Sequence, residues 1–171
     1  MLRLALRQLF MHNIIDIRKA TKEDIEPFKE VIKASILELC APYYSQAQLE
    51  ALLAQFPANE VYQKWITDRL LLVAEENGNI IGFAQYSPDI SLIEAVHVNP
   101  SRAKQGIGRK LVKAIETAAL DLGKKKISLE SSMNAIKFYE KCDYRQIKAS
   151  TYKCKNDIEL DVVSFEKVFN R

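Results

Sequence analysis

The junction over residues 91–120 constrains the fold more than any other part of the chain. "SLIEAVHV" reads as a strand. "NPSRAKQGIGRK" follows as a loop, and then the longest helix begins. Its apolar positions Ile107, Leu111, Ile115, Ala118, Ala119 and Leu122 recur at helical spacing, and Gly123 is suited to end it. Gly106 and Gly108, two of only five glycines, stand where the chain turns into that helix. The first N–H groups of a helix have no partner within it, and the helix dipole adds partial positive charge. Bare backbone lets an anion come close, and Lys104 and Arg109 add charge. Two readings stay open at this level: a pyrophosphate cradle, or a glycine-rich helix start with surface cations. The nucleotide loop GxxxxGK[ST] is absent. A dinucleotide GxGxxG needs glycine at position 111, which is Leu111.

The rest of the chain supplies the frame. "NIIDIRKA" reads as a first strand. Thr21 with Asp24, and Ser45 with Gln48, have capping-box spacing and open helical runs. Pro27 lies early in the first helix, where its missing N–H costs least. "VYQKWITD" reads as another short helix or turn. From residue 70 the pattern changes to three strands, "LLLVAEE", "NIIGFAQY" and "SLIEAVHV", the first two joined by the hairpin signal Asn77-Gly78. After the long helix come a strand "KKISLE", a short helix "NAIKFYEKCDY", and the strands "RQIKAS" and "ELDVVSFEKV". This order predicts an α/β (α+β) domain with a mixed, mostly antiparallel twisted sheet of about six or seven strands and four or five helices. Residues 12–171 read as that one domain. Residues 1–11, apolar and basic, read as an N-terminal extension with the pattern of a short amphipathic helix, rather than a targeting segment.

Composition narrows the function. The 171 residues are 48% hydrophobic and 27% charged, with a net charge of +3. That balance gives no case for a nucleic-acid partner. No apolar run is long enough for a membrane span. Cys40, Cys142 and Cys154 are odd in number, with no CxxC and no adjacent histidine pair, which argues against a disulfide framework and against a metal site. A reducing, cytoplasmic setting is the simplest expectation.

"VNPSRAKQGIGRKLV" resembles the acyl-CoA-binding motif of the GNAT superfamily of N-acetyltransferases, most closely its small single-domain bacterial members. Pro100, Gly106 and Gly108 match, while Ala103 stands where an arginine or glutamine is usual. Downstream, "NAIKFYEKCDYRQI" resembles the family's second segment, with Asp143-Tyr144 replacing Gly-Phe. The likeness spans residues 14–168.

The resemblance implies acetyl-CoA as cosubstrate, with no metal. It implies splayed strands forming the acyl-CoA cleft, and backbone contacts from Val96, His97 and Val98 to the pantetheine arm and acyl carbonyl. The loop Ala103, Lys104, Gln105, Gly106, Ile107, Gly108 and Arg109 corresponds to the pyrophosphate site. Asn134, expected also to cap its helix, and Phe138 and Lys141 fall in the second cofactor segment. Tyr139 matches the general acid that protonates the leaving thiolate. Glu94 is the candidate base for the attacking amine, with His97 or water as alternatives. On a regular strand Glu94 shares a face with Leu92 and Val96, unless a bulge changes it. The cysteines have no basic partner in sequence, so direct attack in a ternary complex is expected over an acyl-cysteine route. Tyr43 and Tyr44 are candidates for lining the acceptor pocket. The acceptor class is a small-molecule amine, a peptide N-terminus or a lysine, and dimers are common in the family. A CoA-binding regulatory module of the same fold, without turnover, is the alternative.

Overall fold

A computed structural model describes residues 14–155 and 157–169. The expected N-terminal extension, residues 1–11, lies outside the described residues. The strands are β1 (Asp16–Lys19), β2 (Leu70–Glu76), β3 (Asn79–Ser87), β4 (Leu92–Val98), β5 (Lys126–Ser132), β6 (Arg145–Lys153) and β7 (Glu159–Val168). They form one seven-stranded sheet in the order β1-β2-β3-β4-β5-β7-β6. Every neighbouring pair is antiparallel except β4 and β5. Among the described residues the five α-helices are α1 (Ile25–Ser35), α2 (Gln46–Leu53), α3 (Asn59–Asp68), α4 (Ile107–Asp121) and α5 (Ile136–Glu140). The expected element order and the mixed sheet hold.

Local chemistry explains the boundaries. Asn77 and Gly78 take φ of +52° and +78°, the mirror-turn geometry that lets Glu76 pair with Asn79 across a two-residue hairpin. The Thr21 N–H donates to the Asp24 carboxylate at 2.7 Å, and α1 begins one residue later. Ser45 and Gln48 exchange side-chain and backbone hydrogen bonds at the start of α2, at 2.9 and 3.3 Å. One feature escapes the periodicity: α1 runs on into a π-helical turn, Ile36–Cys40. Such turns shift the side chains that follow around the helix axis.

Strand alternation splits the core between the two faces of the sheet. On one face Leu72, Ala74, Ala84, Tyr86 and Ile93 meet Ile107, Leu111 and Ile115 of α4. On the other, Leu71, Val73 and Phe83 meet Phe28 and Ile32 of α1 and Tyr62 of α3. Phe28 stacks on Phe83 with centroids 4.4 Å apart. The α4 stripe departs from expectation in two places. Leu122 is exposed, because regular helix ends at Asp121 and Leu122 takes non-helical angles. The charged Glu116 is buried instead, held by Lys167 at 2.8 Å.

The feature that positions the site is a fork in the sheet. β4 and β5 pair only at Leu92↔Ser128 and Ile93↔Leu129. Beyond Ile93 the two strands part. β4 continues against β3 as far as Val98↔Gly82, and β5 continues against β7 as far as Ser132↔Val162.

Candidate active site

Glu94 stands at the fork. Tyr86 pairs with Ile93 and Gln85 with Ala95, so Glu94 is the extra residue of a β-bulge. The bulge decides its surroundings. Ile93 and Val96 pack with the α4 face, whereas Ala95 packs with the α1 face and His97 reaches Ser35 of α1. Glu94 thus parts from Val96 and joins the α1–α3 side. There its carboxylate accepts hydrogen bonds from Gln85, Ser87 and Arg69. Gln85 and Ser87 are buried. The Arg69 guanidinium also lies over the Trp65 ring, 4.5 Å from its centroid. Sequence reading missed these three partners, because they come from a helix end and a neighbouring strand. A polar Gln85 inside an apolar strand was the one available signal.

A cleft of about 880 Å³ opens at the fork. Glu94, Val96, His97, Tyr44 and Tyr139 all line it. Tyr139 comes from α5, which follows β5, so the fork brings together residues 45 positions apart in sequence. The phenol is 6% exposed and sits edge-on to Phe138 at 4.9 Å. Burial, and secondarily the nearby Cys142, push its pKa well above the ordinary tyrosine value, so it holds its proton. Its hydroxyl takes no hydrogen bond among the described residues, though the ring is fixed against Phe138, Tyr144 and Phe165.

The alternative base fares worse. His97 Nδ1 lies 3.2 Å from the Ser35 hydroxyl, and burial pulls its pKa down to about 4. It is a neutral imidazole at physiological pH and a weak proton acceptor. Cys40 lines the same cleft, but burial pushes its thiol up to about 11, so it offers no ready thiolate. Glu130 and Tyr152 also line the cleft and were not singled out from sequence.

The loop into α4 has its own logic. Gly106 caps the helix at φ +82°, and a Cβ there would meet nothing within 4 Å. Its glycine is required by conformation, not by space. At Gly108 the reverse holds: a Cβ would come within 3.1 Å of the Phe138 ring. The second glycine therefore serves close packing of α5 on α4, linking the two sequence motifs physically. This packing role at Gly108 is added to the expected clearance for an anion. Gly106 and Arg109 line a second trough of about 770 Å³ along α4, with Lys110 and Lys113. Ala103 is extended, with φ −62° and ψ 153°, and Lys104 and Gln105 are exposed. The Lys110 N–H is the first to find its partner inside the helix, at Gly106 O. The amides from Gly106 to Arg109 precede it.

The remaining candidates divide. The Tyr44 hydroxyl donates to Asp161 O at 2.8 Å and accepts from the Met133 N–H at 2.9 Å, so it ties the loop after α1 to the sheet while its ring lines the cleft. Tyr43 is 56% exposed and outside the cleft lining. Asn134 is not the helix cap: it lies inside a 3-10 turn ahead of α5, where its side-chain oxygen accepts from the Ser132 hydroxyl at 2.7 Å and from Cys40. Lys141 is exposed at the end of α5. Asp143 takes φ +64°, so the turn survives where the family has glycine.

Comparison with known proteins agrees with this architecture. Residues 40–160 match the family described as "Acetyltransferase (GNAT) domain". A GCN5-related N-acetyltransferase from Rhodopseudomonas palustris superposes with a TM-score of 0.83 at 25% identity, covering 92% of this chain and 99% of that one. PaiA N-acetyltransferase from Thermoplasma acidophilum, solved in complex with coenzyme A, gives 0.74 at 21%, covering 92% and 100%. YncA of Salmonella typhimurium, a putative acetyltransferase solved with acetyl-CoA, gives 0.70 at 19%, covering 93% and 96%. A fork that opens between β4 and β5, a glycine-capped helix following β4, and a family match over most of the chain lead to one identification: this chain belongs to the GNAT acetyltransferase family.

Proposed function

We propose that the protein transfers the acetyl group of acetyl-CoA to a primary amine, by direct attack within a ternary complex. The observation that carries this reading is the fork, where a carboxylate and a protonated phenol from distant parts of the chain line one cleft. The residues present fit the cosubstrate. Gly106 is free of a side chain at a helix start with unpaired amides and flanking cations, which suits a pyrophosphate. Residues Glu94 to Val98 lack a partner strand on the β5 side, which leaves backbone groups to meet an amide-bearing arm.

Acetyl-CoA supplies the activated thioester. The chain's residues do the rest. Glu94 takes the proton of the acceptor, since an alkylammonium with a pKa of ~10.4 cannot attack until it is neutral. Arg69, Gln85 and Ser87 hold the carboxylate in place. Tyr139 keeps its proton until a thiolate needs it, then donates it. Backbone N–H groups of β4 polarise the acyl oxygen. The raised thiol of Cys40 favours direct attack over an acyl-cysteine.

The test has two stages. Acetyl-CoA raises the melting temperature, and free thiol then appears with at least one amine from a panel of small amines, peptide N-termini and lysine peptides. Stabilisation without thiol release across that panel favours a CoA-binding module without turnover.

A further inference from the structure

The phosphate-facing loop carries an arginine that is already engaged. Both terminal nitrogens of Arg102 reach the carboxylate of Glu76, one of them at 2.8 Å, and its Nε donates to Gln105 Oε1 at 2.9 Å. Glu76 is the last residue of β2, and its side chain is only 8% exposed. Its place is set by the Asn77-Gly78 hairpin and not by the loop. The bidentate geometry holds the guanidinium in one orientation. Beside it, the Asn99 side chain accepts from the Ser101 N–H at 3.0 Å, and the Ala103 N–H donates to Pro100 O at 3.1 Å. Two left-handed residues follow, Lys104 at φ +62° and Gly106 at φ +82°, and turn the chain into α4. A non-glycine residue stays in that region only where its surroundings hold it there.

We propose that Glu76 is a positioning residue for the phosphate loop. It grips Arg102 and, through Arg102, Gln105. That anchors the loop to the β2–β3 hairpin, so the amides from Gly106 to Arg109 converge before a ligand arrives. Glu76 itself touches no substrate atom. This preorganisation takes the place of a direct side-chain contact, which Ala103 cannot supply. The inference rests on the acetyl-CoA reading.

Its test compares two ligands in four proteins: wild type, Glu76→Gln, Arg102→Gln and the double variant. One ligand is acetyl-CoA, titrated by calorimetry. The other is S-acetylpantetheine, the same arm without nucleotide or pyrophosphate, titrated by ligand-observed NMR. Each single change is expected to weaken acetyl-CoA about fivefold to tenfold, the weight of one ordinary hydrogen bond, because the effect on the ligand is indirect. The double change is expected to be no worse than the weaker single, and S-acetylpantetheine affinity is expected not to move. Unchanged acetyl-CoA affinity in Glu76→Gln overturns the inference. So does equal loss for both ligands, which marks general loosening of the fold. A large loss for Arg102→Gln with none for Glu76→Gln also overturns it, since Arg102 then contacts the phosphate directly. Should Glu76→Gln fail to fold, Glu76→Asp, which keeps the charge but shortens its reach to Arg102, takes its place in the comparison. Failure of wild type to bind acetyl-CoA sinks the functional reading first, and this inference with it.

Discussion

The glycine loop follows the end of β4 and the cleft opens along that strand, yet they are made of different material. The loop is a main-chain site. It needs a left-handed residue at Gly106, room for Phe138 at Gly108, and amides at a helix start. The cleft is a side-chain site. In the proposed reaction its chemistry depends on one carboxylate and one phenol, each held by residues from other elements. A main-chain site tolerates varied side chains ahead of its glycines, as Ala103 illustrates. A side-chain site tolerates almost no change at its reacting atoms.

The largest effects that could break this contrast belong to the cleft. Tyr139→Phe and Glu94→Gln are each expected to lower kcat about 100-fold, the lower end of the general acid–base range. Acetyl-CoA affinity should stay within about twofold, since neither change touches the loop. An unchanged kcat removes the residue concerned from the mechanism. Gly106→Ala is the next largest and has the opposite signature. Forcing alanine to φ +82° costs on the order of 1 kcal/mol. Acetyl-CoA affinity and melting temperature should both fall, while kcat at saturation is retained. A fall in kcat alone would blur the two sites into one.

A pH-dependent effect concerns His97. The fold holds its pKa near 4, against 6.5 for an unperturbed histidine. As pH falls below 6.5 the unfolded chain takes up the proton first, so the stability due to neutral His97 is complete above that point. It drains away between 6.5 and about 4. His97→Gln should flatten that part of the stability–pH curve, read by urea denaturation. An unchanged slope shows that the ring is not desolvated. The smallest effect contrasts neighbours: Tyr43→Ala should move stability by less than about 0.5 kcal/mol, as an exposed side chain does. Tyr44→Phe should cost about 1 kcal/mol or more, from two lost hydrogen bonds at a buried hydroxyl.

The same contrast explains what could be read from sequence. Main-chain features leave local marks: the Asn77-Gly78 hairpin, the Ser45–Gln48 box and the Gly106 helix start were all legible. The element order followed from periodicity. Register was not legible. The bulge that places Glu94 beside Arg69 comes from pairing β3 with β4, and no local pattern announces it. The packing role of Gly108 depends on Phe138, thirty residues away. Asn134 was expected to cap a helix, but a 3-10 turn precedes α5 and takes that residue inside it. Burial of Glu116 within an apolar stripe depends on Lys167 from the last strand. Tertiary partners decide each of these, and they lie far apart along the chain.

One ligand is proposed to span both sites, with its phosphates on the loop and its sulfur in the cleft. A crystal structure with coenzyme A is the direct test. The expected result is pyrophosphate oxygens on the amides of Gly106 to Arg109 and the sulfur inside the fork, within hydrogen-bonding distance of the Tyr139 hydroxyl. Density for the thiol arm outside the fork, or phosphates away from that helix start, would contradict it.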